Sequence, residues 1–149
     1  MSGHLDRVTL EEAMARTQAV VVARPLEPEI RRIEIPLAPD GAQPPFGRIL
    51  YRFRVEEVLK GKLAAGEEIE VDNPSWGYDL IVHKKRYLEG VNKITIHESY
   101  ESSITSEELR ADPRRILLLN KTDEGWEFTC PGSSESLRRL PDVRRLMHK

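Results

Sequence analysis

Apolar and polar residues change period several times along this chain, and each change marks an element. Tyr51, Phe53 and Val55 alternate with Arg52, Arg54 and Glu56, the period of two that a half-buried strand requires. Glu57 breaks the alternation, so that Val58 no longer follows Val55 at a spacing of two; one extra residue there predicts a β-bulge and a bent strand. Lys60-Gly61 closes the run as a turn, Gly66 reopens it, and Ile69 and Val71 alternate in a second, antiparallel strand. Upstream, Ala19 to Ala23 is an uninterrupted β-rich apolar run, read as a central strand. Ile33 and Ile35 alternate with charge and predict an edge or bent continuation beyond Pro25 and Pro28. Val91 to His97 alternates through Ile94 and Ile96, Arg114 to Leu119 holds a buried strand, and Lys121 to Gly125 turns into a return strand, Trp126 to Cys130. That return places Trp126, Phe128 and Cys130 on one face, and Pro131-Gly132 ends the sheet.

Helical signals punctuate these strands. Thr9-Leu10-Glu11-Glu12 has the spacing of a capping box and predicts a helix to about Thr17, with Leu10, Ala13 and Met14 inward. Trp76, Leu80, His83, Tyr87 and Leu88 recur at helical spacing after the turn residues Asp72 to Ser75, giving a helix over about 77–89 that Gly90 stops. A short helix starts at Ser106, and the stretch from Ser133 reads as one or two helices with Pro141 at a first helical position. Pro36 to Pro45 is an exposed, proline-rich loop.

Short links between neighbouring strands favour antiparallel pairing, and a helix inserted late in a small twisted sheet is the layout of an OB-type barrel. The expected fold is therefore mostly β with peripheral helices: an OB-type barrel of about five or six largely antiparallel strands, one inserted helix and a C-terminal helix. At 149 residues this is one domain over 1–149, with an N-terminal helix in 1–17, the barrel in 18–132 and a basic helical tail in 133–149.

Composition narrows the function classes. Hydrophobic residues are 39% and charged residues 32%, which suits a polar-surfaced soluble domain rather than a disordered tail. No apolar run approaches the roughly 20 residues that span a bilayer, and the N-terminus has no basic region followed by an apolar one; a cytoplasmic location is expected. The net charge is −2, but Arg138 to Lys149 carries five basic residues and one acid, leaving −6 on the remainder. A mildly acidic body argues against a dedicated nucleic-acid binder. Cys130 is the only cysteine, so no intrachain disulfide forms, and a small core residue is its expected role.

AVVVARPLEP, YRFRVEEVLKG, GEEIEV and RRILLLNKTDEGWEF together resemble bacterial members of the netrin-like, tissue-inhibitor-of-metalloproteinase-type OB family. Val55, Val58, Leu59, Lys60 and Gly61 carry its most distinctive part, and the likeness covers roughly half the chain. The resemblance implies a fold more than an activity. Animal inhibitors of that superfamily begin with a zinc-coordinating cysteine, whereas this chain has none before Cys130, so protease inhibition by that route is not implied.

No catalytic constellation assembles from the residues. His97 to Glu101 superficially resembles a zinc-protease motif, but a strand period separates His97 and Glu101 by about 13 Å, too far for one metal. Gly132-Ser133-Ser134 lacks the spacing and lysine of a phosphate loop and reads as capping. The candidate binding surface comprises Trp76, Tyr78, His83, Lys84, Lys85, Arg86, His97 and Tyr100, with no metal and no cofactor. The expectation is a non-catalytic interaction module whose partner is a protein. The alternatives are a single-stranded nucleic-acid binder using Trp76, Tyr78 and Lys84 to Arg86, and, behind it, a metal-dependent enzyme around His83, His97 and Glu98.

Overall fold

Two segments, Ala19 to Ala23 and Ile116 to Leu119, have no polar residue with which to alternate, because both of their faces are buried. In the computed structural model, which describes residues 7–91, 99–101 and 104–148, these segments lie side by side at the centre of a mostly β fold. The elements in chain order are β1 (Arg7–Val8), α1 (Leu10–Arg16), β2 (Ala19–Ile35), β3 (Phe46–Lys60), β4 (Glu68–Asp72) and α2 (Trp76–Glu89). They continue with β5 (Ser99–Tyr100), α3 (Ser106–Ala111), β6 (Arg115–Lys121), β7 (Trp126–Phe128), β8 (Ser134–Ser136), a 3-10 turn (Leu137–Arg139) and α4 (Leu140–Met147).

The main sheet runs β2-β3-β4-β7-β6-β8, and β6 pairs back onto β2, so the first five of these strands close into a near-ring. Its pairings are antiparallel except β4 with β7, where Val71 lies beside Trp126 and Asp72 beside Glu127 in parallel. β7 and β8 take successive stretches of the same edge of β6, Leu119–Lys121 and then Arg115–Leu117. Between them Leu118 N–H donates to Ser133 O and Thr129 N–H donates to Leu118 O, so that edge stays satisfied throughout. A separate two-residue pairing joins β1 and β5 in parallel.

The expected bend is present. Val55 faces Ala23 and Glu57 faces Val22, so Glu56 is the extra residue; a second shift leaves Leu59 between Val58 and Lys60. The first bulge returns Val58 to the face of Val55, both packing into one core, while Leu59 turns to the other. On β2, Leu26 to Glu29 stand opposite Arg52 alone, and Arg52 Nη1 donates to Pro28 O at 2.9 Å. Pro28 thus sits where the ladder is interrupted and needs no N–H from it, and Pro25 is the last paired residue before the break.

Two cores flank the sheet. The inner one lies within the ring and contains Ala19, Val21, Ala23, Phe53, Val55, Ile69, Val71, Leu117, Leu119 and Phe128. The outer one lies under α1 and α4 and takes the alternate residues of the same strands, Val20, Val22, Ile116 and Leu118, with Leu10, Ala13, Met14 and Val143. Leu10, Ala13 and Met14 are buried as their spacing predicts.

Several expectations need correction. Cys130 is buried, but it packs in the outer core while Trp126 and Phe128 belong to the inner one; β7 ends at Phe128, so alternation does not extend to it. Ser133 does not cap a helix: its Oγ donates to Leu118 O at 3.0 Å, and the helical stretch expected from there begins instead with strand β8. At α1 the Thr9 hydroxyl accepts from Glu12 N–H, but Glu12 takes the Thr9 hydroxyl proton rather than its N–H; the complete capping box is at α3, between Thr105 and Glu108. α2 starts at Trp76 and ends at Gly90, whose φ of 69° is the left-handed cap that glycine tolerates. The strand expected over Val91 to His97 falls largely outside the described residues. Among the described residues, no helix is long and apolar enough to cross a membrane.

Candidate functional site

Past the break at 26–29 the strand pair β2–β3 continues as Ile30–Ile35 against Phe46–Tyr51; β4 still pairs with Leu50 and Tyr51, and beyond them the pair is a two-stranded ribbon. α2 lies across its end. Trp76 lies under the Arg48 guanidinium, 3.8 Å from ring centroid to Cζ. His83 packs edge-on to Phe46 with centroids 5.6 Å apart, lies 4.6 Å from the Tyr87 ring, and donates from Nε2 to Pro44 O at 2.9 Å. At 100° per residue Trp76, His83 and Tyr87 form one stripe, and Trp76 and His83, both half-buried, hold the helix while Tyr87 stays 39% exposed.

The opposite face carries a second stripe. Tyr78, Ile81 and Leu88 are 37%, 51% and 49% exposed, and Lys85 lies on the same line. Lys84 and Arg86 are exposed beside it. A 14-residue helix with no buried residue is unusual for one that is apolar on two faces, because such helices ordinarily bury both.

Beside α2 the ribbon and β4 form a charged cleft of about 140 Å³, bounded by Arg31, Arg48, Glu70, Asp72, Glu124 and Trp126. Arg31 grips Glu70 with two bonds of 2.7 and 2.8 Å, and Arg52 lies 3.9 Å from the same carboxylate. Arg48 pairs with Asp72 and, at 3.3 Å, with Glu124. The bond from Arg31 holds the Glu70 carboxyl below its ordinary range, and Asp72 raises Arg48 further. Burial, followed by the nearby Asp72 charge, pushes Glu127 up. The cleft is thus a set of matched charges, with its guanidinium groups already paired.

Of the residues expected to form a binding surface, Trp76, Tyr78, His83, Lys84, Lys85 and Arg86 lie on α2, though on different faces of it. His97 lies outside the described residues. Tyr100 lies on β5 at 7% exposure, away from α2, and its hydroxyl donates to the buried Glu135 carboxylate at 2.6 Å. Burial, and then that carboxylate, push the Tyr100 phenol well above its usual value. It is a packing residue. The Nε2 of His83 is engaged with a carbonyl, and among the described residues no group of three or more His, Cys, Asp or Glu is placed to hold a metal ion. Sequence reasoning missed Ile81 and assigned Leu88 to the inward stripe; the available signal was that α2 carries two apolar stripes rather than one.

No protein-family model, curated protein or solved structure matches this chain.

Proposed function

We propose that this chain is a non-catalytic interaction module on an OB-type barrel, and that a protein partner docks on the outward stripe of α2. The barrel assignment rests on the near-ring of five strands, with the helices α2 and α3 inserted between the third and fourth of them in chain order, and on the netrin-like pattern around Val55 to Gly61. The single observation that carries the function is the exposure of Tyr78, Ile81 and Leu88 along one line of a helix that the ribbon holds clear of both cores. Aromatic and aliphatic anchors within a basic rim are what a protein interface uses.

The nucleic-acid alternative fares worse on charge. OB barrels bind oligonucleotides on the face of their second and third strands and on the adjoining loops, here β3, β4 and the turn at 122–125. Arg31, Arg48, Arg52 and Arg54 on and beside that face each have a carboxylate partner, and Glu124 adds further negative charge. Cations engaged in this way release few counterions on meeting a phosphate backbone.

A photo-cross-linking residue in place of Ile81 tests the reading in cells. A discrete protein adduct is expected at position 81, absent from a control at Glu11 on α1 and lost when Leu88→Glu is added. Equal labelling at both positions, or an adduct indifferent to Leu88→Glu, would contradict it. A fluorescent single-stranded oligonucleotide should show no saturable binding at low salt.

A further inference from the structure

We propose a second binding site, for a small amphipathic organic carboxylate, at the end of the barrel where β2 begins and β3 and β6 finish. A recess of about 540 Å³ opens there between Gln18, Gly61, Lys62, Lys121 and Trp126, with predominantly apolar walls. That volume lies in the range of small-molecule pockets, which are found at the mouths of β-barrels among other places. The half-buried Trp126 packs on the inner core along with Val58 and Leu63, so the recess is backed by the indole that closes the barrel interior.

The rim is fixed by two side-chain amides, each accepting a hydrogen bond from a backbone N–H across it. Gln18 N–H donates to Asn120 Oδ1 at 2.8 Å, and Lys121 N–H donates to Gln18 Oε1 at 2.7 Å, so the start of β2 and the end of β6 hold each other in place. Across the recess Gly61 has a φ of 101°, and a Cβ there would lie 2.7 Å from that of Ala19; this position accepts only glycine and leaves the wall bare. A preformed rim costs a ligand little ordering.

Charge selects the ligand. Lys60, the neighbouring lysine, is committed to the fold, donating from Nζ to Thr17 O at 2.8 Å. Lys62 and Lys121 differ: among the described residues neither ammonium has a carboxylate within ion-pair distance, and Lys121 Nζ lies 4.9 Å above the Trp126 ring. The arginines of the charged cleft are matched by acids, whereas the recess offers two unmatched cations beside an aromatic wall. A planar or aliphatic apolar body fits against Trp126, and a carboxylate head takes the two ammonium groups through charge-assisted hydrogen bonds. Neither group lies on α2, so this site stands or falls independently of the protein-docking face.

The test uses 2-naphthoate and its neutral counterpart 2-naphthylmethanol, titrated into ¹⁵N-labelled protein while the two indole N–H resonances are followed; Trp76→Phe assigns them. Naphthoate should shift the Trp126 resonance saturably and bind at least about tenfold more tightly than the alcohol. Lys62→Gln/Lys121→Gln, at exposed positions, should weaken naphthoate by about tenfold and leave the alcohol unchanged. Absence of a saturable shift at Trp126, equal affinity for the two probes, or naphthoate affinity unchanged by the lysine replacements would each overturn the proposal.

Discussion

α1 and α4 over the outer core, and α2 at the ribbon end, all present apolar residues at helical spacing, yet only the first two bury them fully. Leu10, Ala13 and Met14 of α1 and Val143 of α4 complete the outer core over β2 and β6, whereas α2, twice the length of α1, has no fully buried residue. Attachment accounts for the difference. α1 and α4 rest on strands whose outward residues, Val20, Val22, Ile116 and Leu118, are aliphatic, and burial against them contributes about 25 cal/mol per Å² of apolar surface. α2 rests on the ribbon end, where Arg48, Phe46 and Pro44 offer one cation–π contact, one aromatic edge and one carbonyl. A helix held by a few contacts on one side keeps its other side available.

The comparison can be broken most severely in the core. Leu118→Ala removes a fully buried side chain beneath α1 and α4 and should cost about 2–5 kcal/mol in urea unfolding. Leu117→Ala, on the inner face of the same strand, should cost a similar amount. If either left stability unchanged, one of the two cores would not exist as described.

A smaller loss is expected at the β5–β8 junction. Tyr100→Phe removes the phenolic donor from the buried Glu135 carboxylate, while Arg139 stays 3.7 Å away, and should cost about 1–3 kcal/mol. The pH dependence has a definite sign. Because folding raises the Tyr100 phenol above its ordinary 10.0, the folded state holds that proton more tightly than the unfolded chain. The stability linked to it is complete below the unfolded value and is lost as pH rises above it. Absorbance at 295 nm should therefore register this tyrosinate only as the protein unfolds in alkali, and Tyr100→Phe should remove that linkage. A normal, unfolding-independent titration of all four tyrosines would contradict the buried pair.

How much of this was legible in the residues differs between the two regions. AVVVA and ILLL announced doubly buried strands because no charge interrupts them, and the misplaced Val58 announced a bulge because period two tolerates no extra residue. The parallel pairing of Val71 with Trp126 left no local trace, since it joins residues far apart in the chain. β8 was hidden because Ser134–Ser136 offers no apolar alternation, and its buried Glu135 is compensated by Tyr100 and Arg139 from outside the strand. Tyr100 looked like a surface aromatic in a polar stretch for the same reason: its partner comes from a distant strand. On α2 the spacing disclosed a helix but not which stripe faces the protein, because Trp76, His83 and Tyr87 were as plausible outside as Tyr78, Ile81 and Leu88.

The charged cleft supplies a gentler test. The Arg31 pairing lowers Glu70, so its stabilising contribution is present above the ordinary carboxylate range and lost as pH falls through the lowered value. Arg31→Ala should return the Glu70 carboxyl midpoint, read by ¹³C NMR, towards 4.5, while stability changes little because the pair is solvent-screened. An unmoved Glu70 midpoint would place the source of the shift elsewhere.

The central claim is that Ile81 and Leu88 on the outward stripe of α2 are an open face kept for a partner and not part of the fold's support. The double substitution Ile81→Ser/Leu88→Ser measures this directly by urea unfolding of the purified chain. Unfolding free energy should stay within about 1 kcal/mol of the parent, the sum of two ordinary surface changes, with the circular dichroism spectrum retained. A loss of several kcal/mol, on the scale of Leu118→Ala, would mean that the stripe is buried in solution and that the face proposed for a partner is already filled.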